Sequence, residues 1–161
     1  MVRNLAERLG SVVRKAQPDE GGAATRDTCL VCQASFVDSE FFAQNRVCPV
    51  CHFHYSMTAR ERIDSLVDPG SFHETNRNVT SVDPLSFSSR ISYKQRLFRD
   101  QRRTGLTEAV VTGTGTIGGS PVVLIVLDFG FMGGSMGCVV GEKVALAMEH
   151  AAKRKNPVIS V

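Results

Sequence analysis

The chain has 161 residues, close to the size of one domain, and its 42% hydrophobic content against 22% charged supplies enough apolar material for a packed core. Its formal net charge of +3 is too mild to mark a nucleic-acid binder by itself. The longest apolar run, Val122–Leu127, falls far short of the roughly 20 residues that cross a bilayer, so no membrane partner is expected.

Residues 1–27 read as an N-terminal helix and linker. Val2, Leu5, Leu9, Val12 and Val13 fall at helical spacing, and residues 16–28 are polar, glycine-containing and aperiodic. Arg3, Glu7 and Arg8 interrupt the apolar stretch that a secretory signal needs. The expected compartment is therefore the bacterial cytoplasm, with the plastid as the second choice. Arg3, Arg8, Arg14 and Lys15 match an organellar transit peptide weakly.

In a reducing compartment paired cysteines bind metal more readily than each other. Cys29-Leu-Val-Cys32, fifteen residues, then Cys48-Pro-Val-Cys51 has the spacing of a zinc ribbon, which is assigned to residues 28–56. Each knuckle puts two sulfurs on one tight turn, and four thiolates around one Zn²⁺ leave no position open for water, so the ion is expected to be structural. His52 and His54 are alternative ligands. Cys48–His52 also spells a haem-attachment motif, which is set aside because it strands the first knuckle. Cys138 is expected in the core of a later helix.

Residues 57–161 read as a second unit. Thr58-Ala-Arg-Glu61 is a capping box opening a helix to about Val67, stopped by Asp68-Pro69-Gly70. An irregular stretch around Phe72, Asp83-Pro84 and Phe87 leads to a basic helix over Ser89–Arg103. Its cations (Arg90, Lys94, Arg96, Arg99, Arg102, Arg103) read as a solvated face, with phosphates or an acidic partner as the alternative. Glu108–Ile117 and Pro121–Phe129 then form a hairpin through Gly118-Gly119-Ser120, its second strand buried on both faces. Gly113-Thr-Gly115-Thr-Ile-Gly118 spells G-x-G-x-x-G, but it leads into a strand rather than a helix and so is no dinucleotide fingerprint. A helix with Val140, Val144, Ala147, Met148 and Ala151 on one face ends at Asn156-Pro157, and Pro157–Val161 begins another buried strand. Strand, helix, strand is a βαβ pattern.

Between the second hairpin strand and that helix lies Phe129-Gly-Phe-Met-Gly133-Gly134-Ser135-Met136-Gly137. Its glycines allow close approach of backbone or ligand, and amides at a helix start favour anionic or carbonyl oxygens. The residues alone leave two readings open, a tight strand–helix junction or a ligand loop.

The four-cysteine ribbon, MTARERIDSLVDPGSFHE, and TGLTEAVVTGTGTIGGSPVVLIVLDFGFMGGSMGCVVGEKVALAMEHA occur in this order over about residues 28–161. Together they closely resemble the carboxyltransferase β subunits of acetyl-CoA carboxylase from bacteria and plastids. The resemblance implies an α/β fold of the crotonase-like (ClpP/crotonase) class, a superhelix of ββα units behind a zinc ribbon, of which residues 57–161 are the N-terminal part. It implies transfer of a carboxyl group from carboxybiotin, held on a separate biotin carboxyl carrier protein, to acetyl-CoA. The product is malonyl-CoA, the first step of fatty acid biosynthesis. The implied partners are a carboxyltransferase α subunit, in an α2β2 assembly, and a biotin carboxylase that consumes ATP. Gly133, Gly134, Ser135, Met136 and Gly137 are the implied substrate-binding residues. No catalytic side chain is assigned, because in the implied mechanism released biotin takes the substrate proton. The family's paired-glycine oxyanion loop follows the strand matching Pro157–Val161. The chain is thus expected to be a truncated or split β subunit, inactive alone. The competing expectations are a carboxyltransferase for another acyl-CoA, or a nucleic-acid-binding zinc ribbon. Against the latter, Cys29–Cys51 carries one basic residue, Arg46, beside Asp38 and Glu40.

Overall fold

A computed structural model describes residues 27–161. The expected helix at 2–15, and all of the linker before Asp27, lie outside the described residues.

Cysteine turns and aromatic rings organise the first part of the chain. Isolated bridges Thr28↔Ser35 and Val47↔His54 close the two knuckles. Between them lies a short helix, α1 (Glu40–Asn45), whose N-cap Ser39 accepts a hydrogen bond from the Phe42 amide. Phe36 and Phe42 stack with ring centroids 3.9 Å apart, and Tyr55 meets both edge-on at 5.8 and 5.3 Å. With Cys29 and Cys48 these rings form a small core of their own.

Helix α2 (Ala59–Leu66) opens with both halves of the Thr58/Glu61 capping box in place and ends at Val67, as its sequence predicts. Its apolar side, Ala59 and Ile63, is buried. The residues beyond it anchor the hairpin. Strands β2 (Val110–Ile117) and β3 (Ser120–Leu127) pair antiparallel with Ile117 opposite Ser120. The two-residue turn is Gly118-Gly119, both at positive φ (56° and 77°), as a primed turn requires. Asp68 holds this turn: its carboxylate accepts from the Thr116 hydroxyl (2.6 Å) and from the Gly118 and Gly119 amides (both 2.9 Å). The Thr116 hydroxyl, then the two glycine amides, hold the Asp68 carboxyl below its ordinary range. A folded pKa below the unfolded one gives stability that is present above about pH 4 and lost as pH falls through the folded value. Asp68→Asn is therefore expected to flatten the acid limb of the stability profile, read by urea melts from pH 7 downward. Parallel profiles for both proteins would show that the carboxylate contributes nothing.

Among the described residues four strands make one mixed sheet in the order β1-β2-β3-β4, where β1 is His73–Thr75 and β4 is Val158–Ser160. Strand β1, only three residues long, carries no alternating pattern in the sequence. It pairs antiparallel with β2, and Gly113 makes room for it: a Cβ there would lie 2.5 Å from the Phe72 ring. Val122 through Val126 are all buried, so β3 is covered on both faces, with α2 and the later helix α4 (Cys138–Arg154) packed on β2 and β3.

Several boundaries and burials differ from expectation. The basic helix, α3, runs Tyr93–Thr104 rather than from Ser89, because Ser92 forms a capping box with Gln95. Strand β2 starts at Val110 instead of Glu108, and β3 stops at Leu127 because Asp128 turns into the protein. Helix α4 (Cys138–Arg154) buries Val140, Ala147 and Ala151, but Met148 is 50% exposed, being one step off that stripe. Lys143 takes the inward position instead; its Nζ donates to the Thr107 hydroxyl at 3.1 Å, and burial lowers its pKa against the pull of Glu74 and Glu108. Cys138, expected in the core, is exposed as the first residue of α4. The strand expected to be buried at Pro157–Val161 is β4, parallel to β3 and completing the βαβ unit, but it lies at the sheet edge with Val158 and Val161 exposed.

Candidate functional site

The four cysteines at ribbon spacing converge. Their sulfurs all lie within 4.8 Å of one another, a grouping able to hold one metal ion. Cys29 and Cys51 Sγ are 3.6 Å apart, and Cys32 and Cys48 Sγ 3.7 Å. A disulfide needs about 2.05 Å, whereas a tetrahedral S₄ zinc site with Zn–S near 2.3 Å places its sulfurs about 3.8 Å apart. The thiol chemistry and spacing fit zinc.

Backbone amides and one hydroxyl donate toward the sulfurs of the cluster. In each knuckle the residue after the second cysteine, Gln33 or His52, takes a left-handed turn (φ 61° and 58°). His52 and His54 are both exposed and stand outside the cluster. Tyr55 accepts from the Leu30 amide at 2.8 Å and donates to Cys29 Sγ at 3.4 Å, as does the Val31 amide. Burial raises the Cys29 thiol, but the Cys32 amide, the Tyr55 hydroxyl and the Val31 amide outweigh it and draw it to about 6. The Cys51 amide lowers Cys48 most. Cys51 receives a lowering contact from the Phe53 amide, yet burial and three neighbouring sulfurs push it up to about 12. Four anionic sulfurs cannot share this space without a cation.

The glycine-rich loop lies at the opposite end of β3 from the hairpin turn. Asp128 ends the strand: it is buried, its Oδ2 accepts from the Ala59 amide at 2.7 Å and its Oδ1 from the Gly130 amide at 2.8 Å. Phe131 is fully buried beneath the loop. Met132, Gly133 and Gly134 follow in left-handed conformation (φ 47°, 70° and 70°). A Cβ at Gly133 would meet nothing within 4 Å, while one at Gly134 would lie 3.1 Å from the Phe129 ring. Gly133, Ser135, Met136 and Gly137 are exposed, Gly134 is half-buried, and the start of α4 carries no side-chain cap. The five residues expected to meet substrate are therefore contiguous and largely open to solvent, ahead of uncapped amides that suit an oxygen-rich ligand.

Sequence reasoning misses Tyr55, Asp128 and Asp100, whose Oδ2 accepts from the Met132 amide at 3.0 Å, and it reads Arg103 only as one cation of a solvated face. Asp128 has a signal, a carboxylate directly after six apolar residues, where a strand buried on both faces has to end. Asp100 had none, because it is one acid in a helix of cations.

A mixed sheet with helices packed on it, a glycine-rich strand-to-helix loop and a four-cysteine cluster able to hold one metal ion define a mixed α/β protein. The chain belongs to the carboxyl transferase domain family, whose model matches residues 54–161. It is 43% identical over 145 residues to an acetyl-coenzyme A carboxylase carboxyl transferase subunit beta of Synechococcus sp. (strain RCC307), covering 90% of this chain and 50% of that protein. It is 47% identical over 122 residues to the chloroplastic subunit beta of Anthoceros angustus, covering 75% of this chain and 39% of that one. The chain thus spans half or less of the length of these relatives. Among solved structures, transcarboxylase 12S with methylmalonyl-coenzyme A and methylmalonic acid bound matches with TM-score 0.51 and 32% identity, over 65% of this chain and 18% of that one. A single-chain, multi-domain long-chain acyl-CoA carboxylase matches with TM-score 0.51 and 28% identity, over 64% of this chain and 10% of that one.

Proposed function

We propose that the chain acts within the carboxyltransferase of acetyl-CoA carboxylase, moving a carboxyl group onto acetyl-CoA to give malonyl-CoA. The observation that carries this is the 43% identity over 145 residues, 90% of the chain, to a carboxyl transferase subunit beta. Carboxybiotin on a separate carrier supplies the carboxyl group. This chain's own residues bind and orient: Gly133, Gly134, Ser135, Met136 and Gly137 form the substrate-side loop. Cys29, Cys32, Cys48 and Cys51 hold one structural Zn²⁺. An α subunit and the carrier protein are the proposed partners, and repeated ββα units of the crotonase-like type are the proposed frame. A different acyl-CoA is the second reading, supported by solved relatives that carry methylmalonyl-coenzyme A or are named for long-chain acyl-CoA.

Gly134→Ala in the assembled carboxyltransferase tests the loop. An alanine at φ +70° costs about 1 kcal/mol or more wherever it stands. Against a stability of about 5–15 kcal/mol, that leaves the enzyme almost wholly folded. The expected result is a fall of at least tenfold in kcat/KM for acetyl-CoA. Activity that merely follows the folded fraction would make the loop a junction. Running propionyl-CoA and longer thioesters beside acetyl-CoA separates the two substrate readings.

A further inference from the structure

Helix α3 presents a run of cations, yet its one buried residue is an acid, Asp100, at 3% exposure. A carboxylate in that position needs partners. Two come from its own helix: Arg103 at 3.3 Å and Arg99 at 3.4 Å, both to Oδ1. The third leaves the helix, because Oδ2 accepts from the Met132 amide at 3.0 Å. Arg103 also donates to the Gly130 carbonyl, so one guanidinium ties the carboxylate to the loop a second time.

These contacts fall where the loop needs them. Met132 carries a side chain in the left-handed region, a conformation that persists only where surrounding bonds over-determine it. Gly133 and Gly134, directly after it, have no side chains with which to anchor themselves. The Gly134 amide donates to the carbonyl of the buried Phe131 at 2.9 Å, and the side-chain ties of the segment to the rest of the fold run through Gly130 and Met132. Gly130 is held at its amide by Asp128 and at its carbonyl by Arg103, and Met132 at its amide by Asp100. A hydrogen bond to an ionised carboxylate is of the stronger kind.

We propose that Asp100, braced by Arg103, is a positioning residue that sets the backbone of the glycine-rich loop for the acyl-CoA. The assignment rests on the reading of residues 133–137 as the substrate-side loop. It gives part of the cationic helix a task that needs no nucleic acid or phosphate: Arg99 and Arg103 hold a buried carboxylate aimed at the Met132 amide.

The test uses the assembled carboxyltransferase carrying Asp100→Asn, and separately Arg103→Gln, which removes the brace without altering the buried acid. Two quantities are read: amide exchange across residues 130–136 compared with β3 and α3, and the KM and kcat for acetyl-CoA. Asp100→Asn is expected to speed exchange in the loop at least tenfold, leave β3 unchanged, and raise KM at least fivefold with a smaller change in kcat. Arg103→Gln should move both in the same direction by less. Unchanged loop exchange overturns the proposal. Exchange that rises equally through α3 and β3 overturns it as well, since Asp100 would then only hold the fold. A freed loop with unchanged KM, where Gly134→Ala does impair turnover, overturns the positioning role alone. If Gly134→Ala also leaves turnover intact, the substrate-loop reading fails and takes the proposal with it.

Discussion

Cys48→Ser is expected to abolish stoichiometric zinc binding and unfold residues 29–55, while the strand Val122–Val126 stays protected. The ribbon's apolar core comprises the rings of Phe36, Phe42 and Tyr55 around two buried cysteines. So small an apolar core does not order the segment by itself, and a structural metal site contributes directly to folding. Metal analysis with segment-resolved hydrogen exchange provides the measurement, and a strong chelator should reproduce the variant's pattern in the wild type. Full zinc occupancy in Cys48→Ser, or an ordered ribbon without metal, would falsify the structural-zinc reading.

Asp128→Ala is expected to destabilise the sheet unit by roughly 3 kcal/mol. The substitution leaves two amides, Ala59 and Gly130, without the acceptor they share. The buried Ala59 amide left unpaired costs about 1–3 kcal/mol, and the more exposed Gly130 amide adds a smaller amount. Asp128→Asn should fall between, because its one remaining oxygen serves only one of the two donors. Urea unfolding with an unchanged m-value gives the answer, and zinc content should be untouched. A loss under about 1 kcal/mol would mean that water repairs both amides.

What was legible in the sequence follows from the range of the interaction. Spacings of two to four residues are local and survived intact: the two knuckles, the Thr58 capping box, the Gly118-Gly119 turn. The doubly buried strand was legible because six consecutive apolar residues fit few other settings. Misplaced features depended on partners far along the chain. Cys138 looked like a core residue within an apolar helix, but it is the first residue, where no neighbouring turn covers it. Met148 is apolar and close to the helical stripe, yet Lys143 fills the inward place because the Thr107 hydroxyl waits there. Strand β1 is only three residues long and exists because Gly113, some forty positions later, leaves space for Phe72. In the loop, the glycines were visible and the acids that orient them were not. Asp100 and Met132 are thirty-two residues apart, and no periodicity links them.

The junction at Ala59 has a mechanical meaning. Residue Arg46 of the ribbon pairs with Glu61, one turn into α2, and the first amide of that helix is bound by Asp128 at the base of the glycine loop. The ribbon is therefore no pendant on a string: it leaves the sheet through a joint fastened on both sides. Such a joint transmits orientation as well as proximity, so the heading of the thiol cluster is coupled to the same carboxylate from which the glycine loop departs.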